Sequence, residues 1–416
     1  MKIQFDIRDY YWQLLVALFI LLAAFVPHSF FIFDKWCFLS WANYIHQHGI
    51  GQVYTYSEYN YPPLIAYPLS LAGSLWESPE KMDRYFYYFK LLTLVFDFAA
   101  VILITHWLGS KSKGPLYLLL TLANPLFLYN TYCWGQVDGV LSALVLLAVF
   151  ATMVDKPWLM AVALVLAINF KAQSIIFFPV VGLLILYKLL AGKWSIKQIT
   201  IALVSAIALQ VLIILPFIIT GQVGQMFKVI TQSVDFFPYV SMNAYNIWHL
   251  LPIGASPIMV IDSGTFLVGL SYKQWGLFMF CLASFLILFP VFYGIVASKL
   301  KGIAYTLSTE VVLLMCAGIP LMFFFFNTQM HERYSHPAII FFTAYAVYTR
   351  RWALFAIMLL ACGLNMEGVL HFFHFPNYGI ALFTPTFVAS IYTLLIALYA
   401  YTYYKALHSQ HEQQLT

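Results

Sequence analysis

Apolar residues run through this chain in long unbroken blocks, and polar residues are confined to the short gaps between them. Blocks of about 18 or more apolar residues recur from end to end, each long enough to cross a hydrocarbon core of roughly 30 Å as a helix. A transmembrane barrel requires strands that alternate inward and outward with period two, which these continuous blocks do not show. The pattern predicts an all-α polytopic membrane protein with about twelve transmembrane helices, at roughly 12–30, 84–108, 114–130, 138–154, 157–171, 173–190, 198–219, 275–298, 306–327, 335–349, 352–368 and 380–404. One more apolar stretch, Pro62 to Trp76, is short, opens on two prolines and sits in Tyr-rich sequence. It suits a surface or re-entrant helix better than a span.

The charges in the gaps set a topology. With a cytoplasmic N-terminus, the short basic connectors carrying Lys111 and Lys113, Lys156, Lys193 and Lys197, Lys299 and Lys301, and Arg350 and Arg351 all fall on the cytoplasmic face, as does Lys405 after the last helix. Counting 62–76 as a span would throw every later connector outside. Both termini are then cytoplasmic, and two long loops lie outside: 31–83, expected to hold interfacial juxtamembrane helices, and 220–274. Long loops without obvious strands are more often functional than connective. The same face receives every turn of unusual chemistry: "CWGQVDG" (133–139), "NFKAQS" (169–174), "HERYSHP" (331–337) and "HFFHFPN" (371–377). No repeat, low-complexity tract or soluble domain interrupts the sequence, so 1–416 reads as one integral membrane domain.

Composition agrees: of 416 residues, 62% are hydrophobic, 19% aromatic and only 9% charged, more apolar surface than a soluble fold can hide. The net charge of +5 does not point to nucleic acid, because the basic residues belong to loop ends at a lipid bilayer. The first apolar run, Tyr11 to about Phe30, lacks a small-residue cleavage pattern and reads as a retained helix. Cys37, Cys133, Cys281, Cys316 and Cys362 form no CxxC and are expected to be small apolar packers, a Cys37–Cys133 disulfide being possible but not favoured.

Several polar residues have both a structural and a chemical reading. Asp34, just past the first helix, is either an ordinary boundary acid or a general base that takes a proton from an attacking hydroxyl. Trp36, Phe38, Trp41 and Ile45 behind it form the apolar face of an interfacial helix, with anchoring as the simpler role. Asp138 is either an acidic helix start or, with Trp134 and Gln136, part of a polar cluster. Lys171, the one basic residue at its end of the helices, either snorkels or meets an anion, with Gln173 beside it. Arg333, flanked by His331 and Glu332, has the paired donors that clamp phosphate; a hydrated loop is the alternative. Asp97, inside "LVFDFAAVI", is expected to face the bundle interior in a hydrogen-bond network. His46, His48, His371 and His374 lack metal-ligand spacing, so no metal is expected.

In order, Asp34 with Trp41, "YNYPPLIAYPLS" (59–70), "YFKLLTLVFDFAAVI" (88–102), "NPLFLYNTYCWGQVDG" (124–139), "INFKAQSIIFFP" (168–179), "VDFFPYVSMNAYNIWHL" (234–250) and "HERYSHPA" (331–338) resemble the GT-C superfamily of polyprenyl-phosphate-sugar-dependent glycosyltransferases. The likeness is to the glucosyltransferases that extend the dolichol-linked N-glycan precursor and to bacterial Gpi18-like mannosyltransferases. "CWGQVDG" and "HERY" follow the bacterial style. The resemblance implies a GT-C-type fold in a bacterial inner (plasma) membrane, with an active site on the periplasmic or extracellular face. It implies inverting transfer of one hexose from a polyprenyl-phosphate donor to an acceptor hydroxyl on a lipid-linked or cell-envelope glycan, by a monomer without cofactor or metal. Asp34 would be the base, and Lys171, Gln173, His331, Glu332 and Arg333 would hold the donor's phosphate and sugar. Trp134, Gln136, Asp138, Tyr61, Asn243 and Asn246 lie within matching motifs as further site candidates. A flippase or transporter, or a polymerase or ligase of polyprenyl-linked saccharides, is the rival class.

Overall fold

The computed structural model describes residues 11–109, 124–232 and 236–415. The chain is built almost wholly of helices: α1 (Tyr11–Ala24), α2 (Ile32–His48), α3 (Ala66–Trp76), α4 (Pro79–Tyr85), α5 (Lys90–Leu108), α6 (Asp138–Met153), α7 (Pro157–Phe170), α8 (Phe178–Leu190), α9 (Ile196–Ile219), α10 (Val223–Gln232), α11 (Tyr272–Leu300), α12 (Thr309–Phe326), α13 (His336–Thr349), α14 (Ala353–Leu370) and α15 (Pro385–Leu415). Local sequence sets many of the starts. Ser195 and Ser271 each form a capping box, with Gln198 and Gln274, and Pro157 supplies the fixed φ of a first helical position.

Among the described residues seven helices are long and apolar enough to cross a membrane: Pro79–Leu108, Ala172–Leu190, Ile196–Ile219, Tyr272–Leu300, Thr309–Phe326, Ala353–Leu370 and Pro385–Glu412. Three apolar helices are shorter, Trp12–Ala24, Asp138–Met153 and Pro157–Phe170. Thus the chain is an all-α protein with multiple membrane-length helices. The expected helices at 138–154 and 157–171 match α6 and α7 to within one residue at each end, whereas the first, expected at 12–30, stops at Ala24. The expected helix at 114–130 and the connector of Lys111 and Lys113 fall largely outside the described residues. Only the final part appears, as a helical turn at Pro125–Leu128 that widens into a π-helical turn at Tyr129–Trp134. Gly135 closes this turn at φ 83°, and a Cβ there would strike the Phe30 ring.

The core is the pair α12 and α13, buried along almost their whole length, with α6 beside them. At the periphery α9 and α11 turn Leu203, Val204, Ile207 and Leu212, and Phe278, Phe285 and Leu286, outward. Unpaired apolar faces of that kind require an apolar solvent, which a bilayer supplies.

The two long loops are structured. The first holds α2, 3-10 turns at Ile50–Thr55 and Pro63–Ile65, and α3, an 11-residue helix that at 1.5 Å per residue reaches only about 16 Å and cannot span. The second carries α10 and a β-hairpin, β1 (Thr265–Leu267) with β2 (Leu270–Ser271), a detail the apolar pattern did not announce. Val268 and Gly269 both take positive φ at its turn, as a two-residue hairpin turn demands. Val240, Trp248 and Tyr272 give this loop a small core of its own. Its strand-like edge grips the "HERY" turn: the Gln329 N–H donates to the Tyr239 carbonyl at 3.0 Å and the Met242 N–H to the Met330 carbonyl at 2.9 Å.

A buried lysine fixes the first loop to the bundle. The Lys90 ammonium donates to the carbonyls of Pro27 (2.9 Å), Ser29 and Tyr132 (2.6 Å), joining the α1–α2 linker to the π-helical turn. Lys90→Met would leave three carbonyls short of a donor, and because bonds to charged groups contribute about 1.5–3 kcal/mol each, we expect a loss of several kcal/mol, read as a lower melting temperature in detergent.

Candidate functional site

Three of the four unusual turns converge at one end of the bundle. Asp34 stands in the first turn of α2, Trp134 ends the π-helical turn, Asp138 opens α6, Lys171 follows α7, and His331, Glu332 and Arg333 occupy the turn between α12 and α13. The opposite helix ends carry other pairs: Lys188 with Asp155 at 2.8 Å, Lys299 with the Leu190 carbonyl at 3.1 Å, and Arg351 with Glu310 at 3.1 Å.

Arg333 is the hub. Its Nη1 lies 2.6 Å from Glu332 Oε1, its Nη2 3.5 Å from Asp34 Oδ1 and its Nε 3.7 Å from Asp138 Oδ2. Lys171 pairs with the other Asp138 oxygen. The guanidinium also lies over the rings of Trp134 (5.7 Å) and Tyr334 (5.8 Å), and Lys171 sits over Tyr334 at 5.0 Å. Asp138, Lys171, Glu332 and Arg333 are buried, whereas the Asp34 side chain keeps 18% of its surface open. The cluster thus presents one accessible carboxylate in front of two buried cations.

Burial acts on each charge differently. It works against the Arg333 charge, but Asp34, Glu332 and Asp138 outweigh it and hold the guanidinium well above its ordinary value. Burial lowers the Lys171 value, with Asp138 opposing. Burial pushes the Glu332 carboxyl up to about 7, against the pull of Arg333. Burial, reinforced by Arg333 and Lys171, depresses His331 well below the usual imidazole range, so it stands neutral beside Glu332 at 3.9 Å.

The other candidates divide. Gln173 donates to the Tyr334 carbonyl at 3.2 Å, its Oε1 buried without a partner. Tyr61 lies close enough for the charges of Arg333, Asp138 and Asp34 to act on its hydroxyl, whose pKa burial chiefly raises. Gln136 is buried, and its Oε1 accepts the N–H of the neighbouring Val137 at 3.3 Å. Asn246 serves the scaffold, donating to the Phe324 and Asn327 carbonyls at 3.1 and 3.3 Å. Asn243 is left-handed at φ 64°, its carbonyl taken by Asn365 and its backbone beside His331. Asp97 accepts the Thr131 hydroxyl at 2.6 Å inside the bundle. The fourth turn, 371–377, is tied elsewhere: Glu367 accepts the hydroxyls of Tyr129 and Tyr378 and the Phe372 and Phe373 N–H groups.

Four contributors escaped sequence reasoning. Tyr334, the surface under both cations, lies inside "HERY" and was legible there; so was His336, bonded to Ser142 at 3.2 Å. Lys90 lies in the quoted stretch 88–102 but was given no role, and Asp262 gave no signal: it accepts from Thr328 and Gln329, both at 2.8 Å, bracing the Arg333 turn from 66 and 67 residues away in sequence. No group of three or more metal-ligating side chains occurs among the described residues.

Glu332 provides a test. Its native form keeps the proton up to pH of about 7, the unfolded form only to the ordinary carboxyl range, so its contribution to stability falls as pH rises through that window. His331 acts oppositely, losing stability as pH falls through the ordinary imidazole range. The melting temperature of Glu332→Gln minus that of wild type, which cancels His331, should therefore climb between pH 5 and 7 and level off above; a difference flat with pH would refute the burial of this charge.

Neither a family model nor a curated protein matches this chain.

Proposed function

We propose that this chain is an inverting membrane glycosyltransferase of the GT-C type. It moves one hexose from a polyprenyl-phosphate donor to an acceptor hydroxyl on a lipid-linked or cell-envelope glycan, at the periplasmic or extracellular face of a bacterial inner membrane. The observation that carries this reading is the accessible Asp34 carboxylate 3.5 Å from a buried guanidinium, with Lys171 in the same ion network. Sugar transfer from a lipid phosphate needs a base on the attacking hydroxyl and fixed positive charge where the leaving phosphate gains its own. The cluster offers both within one array, on turns at helix ends where a lipid phosphate would lie.

In this reading Asp34 takes the acceptor proton as the acceptor oxygen attacks the anomeric carbon. The bond from that carbon to phosphate oxygen breaks on the opposite face, and Arg333 and Lys171 stabilise the departing polyprenyl phosphate. Arg333 Nε, Gln173 Oε1 and His336 Nε2, all buried without hydrogen-bond partners, are groups that a polar donor headgroup would satisfy. The bilayer-facing helix surfaces give the polyprenyl tail an apolar medium. No metal is needed, since the two cations supply the charge that a divalent ion would bring.

Reconstituted protein is expected to transfer sugar from at least one member of a panel of polyprenyl-phosphate hexoses, with chelator present. Movement of lipid across the bilayer without turnover of any donor would instead favour a flippase. Asp34→Asn should lower transfer by about a hundredfold or more, the contribution of a general base, while donor binding survives. Arg333→Ala should weaken donor binding by roughly tenfold to a hundredfold, the value of a charge-assisted hydrogen bond of about 1.5–3 kcal/mol. Unchanged affinity would remove the phosphate site from this turn.

A further inference from the structure

Arg333 meets its carboxylates unequally. Glu332 is held at 2.6 Å, yet Asp34, the most exposed of the three carboxylates, stays at 3.5 Å. At 3.5 Å Asp34 is already within ion-pair reach of Arg333, but Coulomb attraction steepens at short range in a low-dielectric site, so an unrestrained Asp34 would close further, into a hydrogen-bonded pair like that of Glu332. A carboxylate locked in such a pair is a poor proton acceptor.

The restraint is Trp134. Its indole N–H donates to Asp34 Oδ2 at 2.8 Å, drawing the carboxylate toward the π-helical turn. The indole is itself packed in place: it is wholly buried and stacks on Phe31 with centroids 4.9 Å apart, and the Trp134 carbonyl accepts the Phe31 N–H at 3.0 Å. Phe31 immediately precedes α2, so this contact fixes the helix bearing Asp34 to the turn bearing the indole. The Arg333 guanidinium lies over the same ring, 5.7 Å from its centroid. One residue therefore touches both partners and sets the gap between them.

We propose that Trp134 is the positioning residue of the transfer reaction, holding Asp34 off Arg333 so that the carboxylate acts as a base and the guanidinium stays directed to phosphate. The inference rests on the transferase reading. The acceptor O–H proton passes to Asp34 Oδ1, the freed electron pair forms the new glycosidic bond, and the electrons of the broken anomeric C–O bond leave on the polyprenyl phosphate. Trp134 keeps its own proton throughout.

Trp134→3-benzothienylalanine replaces the indole N–H by sulfur and preserves ring size, so it tests the hydrogen bond without emptying the core; Trp134→Phe is the genetic counterpart. With the donor that wild type uses from the panel, kcat should fall about a hundredfold, the lower end of what a positioned general base contributes, while the donor KM changes less than threefold. In an Asp34→Asn background Trp134→Phe should lower residual transfer no further, because the carboxylate it positions is gone. A kcat within threefold of wild type for the benzothienylalanine protein, or equal losses in both backgrounds, would overturn the inference. If Asp34→Asn lowers transfer as expected and both Trp134 variants remain active, this inference alone fails. If wild type turns over no donor in the panel, the transferase reading falls and takes the inference with it.

Discussion

The rest of the structure depends on one constraint: three carboxylates and two cations must be placed at the end of an apolar bundle without leaving any of them bare. Removing one member of a buried pair costs about 3–5 kcal/mol, while the pair itself adds little net stability. Such a group is specific more than it is stabilising. Arg333 can be buried only if Glu332, Asp34 and Asp138 surround it, and Asp138 can be wholly buried only with Lys171 and Arg333 at its two oxygens. Four separate stretches of chain must therefore arrive together.

The scaffold around the cluster answers that demand. The ammonium of Lys90 ties the linker before α2 to the π-helical turn, and Phe31 stacked on Trp134 completes the joint, so Asp34 is placed by two attachments outside its own helix. The Arg333 turn is held from the other side by the second long loop, through Asp262 and the backbone of 239–242. Both long loops thus contribute to the wall that fixes the charges, the first through α2 and the second through Asp262 and the backbone of 239–242. A GT-C-type transfer reaction, as proposed, would use this rigidity directly: a base and a phosphate clamp must be held at fixed separation before substrate arrives.

Much of this was legible along the chain. Runs of apolar residues revealed the helices, because burying an amide in lipid demands an internal hydrogen bond whatever the side chains. The short, proline-led stretch at 62–76 was recognisable as too short to span, and α3 is the 11-residue helix found there. Asp34, Asp138, Lys171, Glu332 and Arg333 stood out because charge is scarce at apolar borders and each occurrence requires an explanation. Asn246 and Gln136 drew notice for the same reason; the bonds they make are to backbone, Asn246 to the Phe324 and Asn327 carbonyls and Gln136 to the Val137 N–H.

By itself, then, the sequence determined the class of protein, the positions of its helices and the small set of polar residues worth attention, because hydrophobicity and charge are local properties. Only the tertiary structure decided which of those residues meet. The pairing of Asp138 with Lys171, the Trp134 bond to Asp34 and the grip of Asp262 on the Arg333 turn join residues 33, 100 and more than 60 positions apart. Distances between turns depend on how helices pack and where they end, and no local pattern encodes a separation such as the 3.5 Å between Asp34 and Arg333.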